Sequence, residues 1–266
     1  MGDGGLFGPE SVVWRVSREG VLMLGGGRAL ILQVAHPLVA AGVEQHSRYR
    51  EDPFGRLIRT LDLTNRIVFG STPVAEEAAA QLWRVHGHVR GVADDGTPYN
   101  ARDPDLLMWV HATLLDTALL VYQRYVGPLT IRELRRYYDE QRLLGEKFGI
   151  PRSAQPASYA EFNDYFLSMV EGDTLAVTDT LRDVVDVTLS GGLPRVARPL
   201  LELLNLATVG MLPERLRTEL GLGWGSRRER LLGASQMALR SLVPLLPGLV
   251  REVPPARRAE RRARAA

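Results

Sequence analysis

The chain has 266 residues, 45% of them apolar and 24% charged, enough for one large domain or two small ones with a substantial core. It contains no cysteine, which excludes disulfides, thiolate metal sites, iron–sulfur clusters and cysteine nucleophiles. The formal charge of +2 is uneven: six Arg and two Glu give residues 251–266 a net +4, so residues 1–250 sum to −2 and do not form a basic nucleic-acid-binding domain. Nearly all positive charge is guanidinium, since Lys147 is the sole lysine.

The N-terminus carries Asp3 and Glu10 where a secretory signal needs an uninterrupted apolar run. The apolar stretches Ala29–Val43 and Pro199–Pro213 are too short and too interrupted to span a bilayer. The expectation is a cytoplasmic protein without a transmembrane segment, with peripheral membrane contact open to it and no nucleic-acid partner.

Residues 1–9 are glycine-rich, and Pro9 opens a helix through about Leu24. Gly25-Gly26-Gly27 then reads as an interhelix turn; without a preceding strand and Gly-x-Gly-x-x-Gly it is not a phosphate cradle. From Arg28, Leu32, Ala35, Val39 and Val43 recur at steps of three and four, a helical stripe bent at Pro37 beside His36. Thr72-Pro73 with Glu76 and Glu77 starts another helix, whose stripe is Ala78, Leu82, Val85, Val89 and Val92. On it His86 and His88 lie about 200° apart, so they cannot share one metal while that segment is helical.

Asp94 to Pro98 is turn chemistry, and Asp103-Pro104 caps a helix whose stripe includes Leu107, His111, Leu114, Ala118, Val121 and Tyr125. His111 inside that stripe reads equally as a structural hydrogen-bonding histidine or as a ligand. Thr130 and Glu133 form a capping box. Further helices follow at about 160–172, 174–189, 199–212, 213–220 and 227–246, with a Gly/Pro turn at Gly191–Pro194. No run alternates as a strand does, so the fold class is all-α, a single domain over residues 1–250 of roughly ten helices, followed by a disordered Arg-rich tail over 251–266.

All five histidines (His36, His46, His86, His88, His111) lie in the N-terminal half, where any metal chemistry must sit. Paired Glu-x-x-His turns of dinuclear iron bundles and the His-Glu-x-x-His zinc helix are absent. A haem needs less: one imidazole, apolar walls and arginines for its propionates.

Taken together, QVAHP (33–37), EQHSRYREDPFGRLIRT (44–60), Phe69-Gly70, VHGHVRG (85–91) and DPDLLMWVHATLLDT (103–117) resemble the signature run of the MpaB-type oxygenases, the family that includes the latex-clearing rubber oxygenases. The resemblance implies a globin-like helical core holding one haem b through a single proximal histidine. That position falls on His86, which is both cofactor-binding and iron-ligating, with His88 or His111 as alternatives. It places the distal Arg-x-x-Lys-Thr element on Arg56, Arg59 and Thr60. Arg56 and Thr60 are the implied catalytic pair that polarises dioxygen, and Arg59, His36 and His111 the implied cofactor-binding residues. Arg59 stands where the rubber oxygenases have lysine, and a guanidinium, unlike an amine, cannot lose its proton to cap iron. The implied reaction is haem-dependent, dioxygen-using cleavage of a hydrophobic, isoprenoid-type C=C bond to carbonyl products; the alternative is a non-catalytic helical haem or lipid binding protein.

Overall fold

The structure, a computed structural model, describes residues 5–51, 53–190 and 198–265, and leaves the side chains of residues 53, 54, 56, 57 and 265 outside that description. The expected turn at Gly191–Pro194 lies outside the described residues. Fourteen α-helices occur among the described residues. They are α1 (Val12–Ser17), α2 (Gly26–Val34), α3 (Pro37–His46), α4 (Pro53–Phe69), α5 (Thr72–His88), α6 (Pro104–Tyr125), α7 (Ile131–Lys147), α8 (Tyr159–Glu171), α9 (Asp179–Ser190), α10 (Arg198–Met211), α11 (Glu214–Glu219), α12 (Ser226–Leu242), α13 (Gly248–Arg251) and α14 (Pro254–Ala265). The protein is all-α apart from one small hairpin.

That hairpin corrects the reading of α5. The helix stops at His88, and Arg90–Val92 (β1) pairs antiparallel with Pro98–Asn100 (β2), Gly91 facing Tyr99. Val85 and Val92 are exposed rather than part of a buried stripe. The turn residues Asp94 to Gly96 had been legible; the three-residue strands they join were too short to alternate visibly.

The helix starts follow local chemistry. Asp103 accepts from the Asp105 amide at the head of α6, and Thr130 and Glu133 close the reciprocal capping box of α7. The first expected helix is split into α1 and a 3-10 turn at Gly20–Gly25. At Pro37 the chain breaks fully, by 105°, and the His36 ring Nδ1 accepts from the Leu38 amide to cap α3.

Helix α2 is the centre of the packing, meeting α3, α6, α9 and α10. The triple glycine does more than turn the chain. A Cβ on Gly25 would run into Thr117 of α6, and one on Gly27 into Thr208 of α10, so their absence sets how closely three helices approach. Trp109 of α6 donates through Nε1 to the Leu32 carbonyl at 3.1 Å and stacks on Phe166 of α8. Helix α6, with 22 residues, is long and apolar enough to cross a bilayer, but 67% of its apolar window is buried inside the protein, as in a core helix.

The C-terminal residues are not a disordered tail. Pro254–Ala265 forms α14, which packs on α4 with Ala256 and Ala259 buried. Two small residues three apart give a narrow stripe that seats an arginine-rich helix.

Candidate functional site

An apolar cavity of about 110 Å³ lies between α2, α4, α6, α9 and α10, with Met23 of the 3-10 turn also in its wall. Leu30 of α2, Leu114 of α6, Val187 of α9, and Leu201 and Leu204 of α10 form most of the surface. Polar groups enter from Gln33, Thr60, Thr188, Asn205 and Thr208, and no ionisable side chain is among the described lining residues. Asn205 is held by its amide donating to the Leu189 carbonyl at 2.7 Å. A space with these walls suits a neutral, mainly hydrocarbon molecule, positioned by a few hydroxyl and amide groups.

Of the residues the sequence singled out, Thr60 lines this cavity. It lies on α4 one turn after Arg56, so the helix that the Arg-x-x-Arg-Thr element needs is present; the Arg56 side chain lies outside the described residues. Arg59 is exposed on the same helix. The structure does not bring His36, His86 or His111 into the described lining of the cavity. His46 is exposed, with Nε2 3.3 Å from the Arg90 carbonyl oxygen.

The three less exposed histidines share one electrostatic property and differ in their partners. Burial lowers the pKa of each, reaching about 4 at His111, so all three are biased towards neutral rings. His36 spends its Nδ1 lone pair on the α3 cap, which leaves the proton on Nε2. His111 donates Nε2–H to the Gln141 carbonyl at 3.0 Å, and its Nδ1 is buried without a hydrogen-bond partner. At His86, near the end of α5, Nδ1 is likewise buried and unpartnered, and Arg102 adds to burial in lowering its pKa. His88, its neighbour two residues on, is exposed.

One buried charge the sequence reading passed over sits on α2 between Gly27 and Ala29, two residues of the cavity wall. Arg28, only 4% exposed, donates to Asp116 at 2.6 Å, to Thr117 at 2.5 Å and to the Met211 carbonyl at 2.7 Å. Burial pulls its pKa down and Asp116 pushes it back; a guanidinium stays protonated through such a contest. A signal existed in the sequence: one Arg in the apolar run of α2 and one Asp in that of α6 are charges that two core helices bury only as a pair.

Residues 14–246 match the family described as ER-bound oxygenase mpaB/B′/rubber oxygenase, catalytic domain. The chain belongs to this family. It is also 28% identical over 225 residues to Uncharacterized protein Mb2261 of Mycobacterium bovis and to Uncharacterized protein Rv2237 of Mycobacterium tuberculosis, covering 82% of this chain and 87% of each relative. No solved structure matches it. This oxygenase domain thus occupies nearly the whole chain, and its matched stretch includes α2, α4, α6, α9 and α10 around the cavity.

The donor set of this oxygenase-family chain fits the haem that the resemblance implies. Neutral imidazoles with unpartnered buried nitrogens are present at His86 and His111, and a buried nitrogen without a partner costs about 1–3 kcal/mol unless something binds it. His86 is the better placed of the two, being half-buried, whereas His111 is sealed between α6 and α7 against Phe148. The cavity at Thr60, at about 110 Å³, is smaller than the roughly 300–1,000 Å³ usual for small-molecule and cofactor sites, so a haem would not sit within it as it stands. No group of three or more metal-ligating His, Cys, Asp or Glu side chains occurs among the described residues.

Proposed function

We propose that this member of the oxygenase family is a haem b-dependent enzyme that uses dioxygen to cleave a C=C bond of a neutral, isoprenoid-like hydrocarbon into two carbonyl groups. The observation that carries the reading is an apolar cavity free of ionisable lining among the described residues, with Thr60 of the Arg-x-x-Arg-Thr helix in its wall, inside an oxygenase catalytic domain. One C=C bond plus one dioxygen gives two C=O groups, so atoms and electrons balance without an outside reductant.

In this reading His86, whose Nδ1 is buried without a hydrogen-bond partner, would hold the haem iron, and Arg59 would pair a propionate. When bound, haem iron supplies a coordination position at which dioxygen is activated. The chain's own residues do the rest. Leu30, Leu114, Leu201 and Leu204 exclude water and orient the hydrocarbon, while the Thr60 hydroxyl in the cavity wall, with Arg56 one turn earlier on the same helix, would supply hydrogen-bond donors on the side of the reacting double bond. Arg59 does not act as an iron cap, because a guanidinium keeps its proton.

The test is haem content and oxygen use together. Protein produced with haemin and purified is expected to show a Soret band that shifts on reduction and to consume dioxygen with an isoprenoid alkene. His86→Ala should lose the haem, and Thr60→Val should keep haem while losing at least tenfold in turnover. Retention of full haem by His86→Ala would reject that ligand and turn attention to His111. A second reading, a non-catalytic carrier of an apolar ligand, is favoured by the absence of an imidazole from the described cavity wall; it predicts hydrocarbon binding with no oxygen uptake.

A further inference from the structure

The turn joining α12 to α14 presents an apolar surface to solvent. Leu245, Leu249 and Val250 are 79%, 77% and 67% exposed, and Leu242 and Leu246 beside them are 54% and 40% exposed. Single exposed leucines are ordinary, but five large apolar side chains within nine consecutive residues form a patch of a kind that marks an interaction site.

These side chains are held out by a hydrogen-bonded scaffold. Val243 is buried beneath them, residues Val243–Leu245 form a 3-10 turn, and Gly248–Arg251 is α13. Arg251 makes a two-pronged bond to buried Glu19 at 2.7 and 2.6 Å, the Val253 amide donates to the Arg18 carbonyl, and Arg257 donates to the Leu249 carbonyl at 2.6 Å.

Charge narrows the choice of partner. Arg240, Arg258, Arg261 and Arg264 are exposed on the flanking helices, and residues 251–266 carry +4 against −2 for the rest of the chain. A second copy packed about a twofold axis on this patch would set two such basic ends near each other. Nucleic acid would satisfy the arginines and leave the leucines in water.

We infer that this turn docks on a bilayer containing anionic lipid, with Leu245, Leu249 and Val250 among the acyl chains and the α14 arginines on the headgroups. The docked segment is joined to the cavity. Gly20 abuts the Arg251 carbonyl, and the same 3-10 turn, Gly20–Gly25, carries Met23 of the cavity wall. Delivery of a hydrocarbon substrate from the bilayer follows only if the proposed function holds; the docking does not depend on it.

The experiment is co-sedimentation of the full-length protein with phosphatidylcholine vesicles, with and without phosphatidylglycerol, at low and high salt, alongside light scattering without lipid. The wild type is expected to pellet with the anionic vesicles and much less with phosphatidylcholine alone. Leu245→Glu/Leu249→Glu should weaken binding at least about tenfold. Arg258→Glu/Arg261→Glu should remove the preference for anionic lipid and the sensitivity to salt. Because these side chains lie outside the core, melting temperatures should match the wild type and show that the variants fold. Absence of wild-type binding, or undiminished binding by the leucine variant, overturns the inference. So does a lipid-free dimer that the leucine substitutions abolish in a protein that ignores vesicles. Since the readout needs neither haem nor oxygen, failure here and failure of the oxygenase reading are separable.

Discussion

At the scale of single residues, His111 shows what an imidazole in a helical core costs and contributes. Its Nε2–H is satisfied by Gln141, its ring meets the edge of Phe148, and burial holds its pKa at about 4. In the unfolded chain the same ring protonates near its ordinary value of 6.5. The folded state therefore keeps its full stability above that value and loses it as pH falls from 6.5 towards 4, by on the order of 3 kcal/mol for a fully buried imidazole. His111→Phe should flatten the urea midpoint between pH 7 and pH 5 relative to the wild type; an unchanged slope would mean the ring protonates in place. The sequence placed His111 on an apolar face without settling whether it bonds or ligates, since that depends on Gln141, thirty residues away. It separated His86 from His88 by angle but not by burial, for a similar reason. The group beside His86 is Arg102, which returns after the hairpin, lies against Gly87 and stacks on Trp83 with 4.4 Å to the ring centroid.

At the scale of elements, what local chemistry decides was readable, and what two elements decide jointly was not. The caps at Asp103 and Thr130 and the break at Pro37 follow from residues within one turn of each other. The arrangement around Arg28 needs three helices: its own α2, α6 through Asp116 and Thr117, and the end of α10 through the Met211 carbonyl. The glycines at 25 and 27 let those helices close to this distance, so the guanidinium and the missing side chains act together. Removing Asp116 leaves a buried cation with its two neutral acceptors. Asp116→Ala should cost about 2–3 kcal/mol in urea unfolding, and Arg28→Met with Asp116→Ala should recover part of that loss, because an unpaired buried charge is worse than none. A double variant no more stable than Asp116→Ala alone would mean that the guanidinium finds water on its own.

At the scale of the whole molecule, the two ends of the chain belong to one core. The main hydrophobic cluster includes Phe7, Val12 and Trp14 from the start and Ala256 and Ala259 from the end. Arg262 donates to the Phe69 carbonyl at 2.7 Å, at the last residue of α4, the helix that carries Thr60. The net charge of residues 251–266 pointed to a solvated end because a sum of charges carries no information about spacing; the two alanines and one arginine that dock it are visible only as positions. The firmest link is Glu19, 1% exposed and gripped by Arg251. Truncating Arg251 to Met leaves the buried Glu19 carboxylate only the longer 3.7 Å contact with Arg18, a loss of roughly 3 kcal/mol that acts on the whole protein because α1 and α14 share its core. The expected result is a melting transition lowered by several degrees yet still single, since no sub-domain is released. Glu19→Met with Arg251→Met should restore most of the midpoint, as a buried ion pair replaced by apolar side chains of similar volume is often neutral. Arg264→Met, on the exposed face of α14, should change nothing; if Arg251→Met were equally silent, the C-terminal helix would not be docked in solution, and the scaffold under the apolar turn would fall with it.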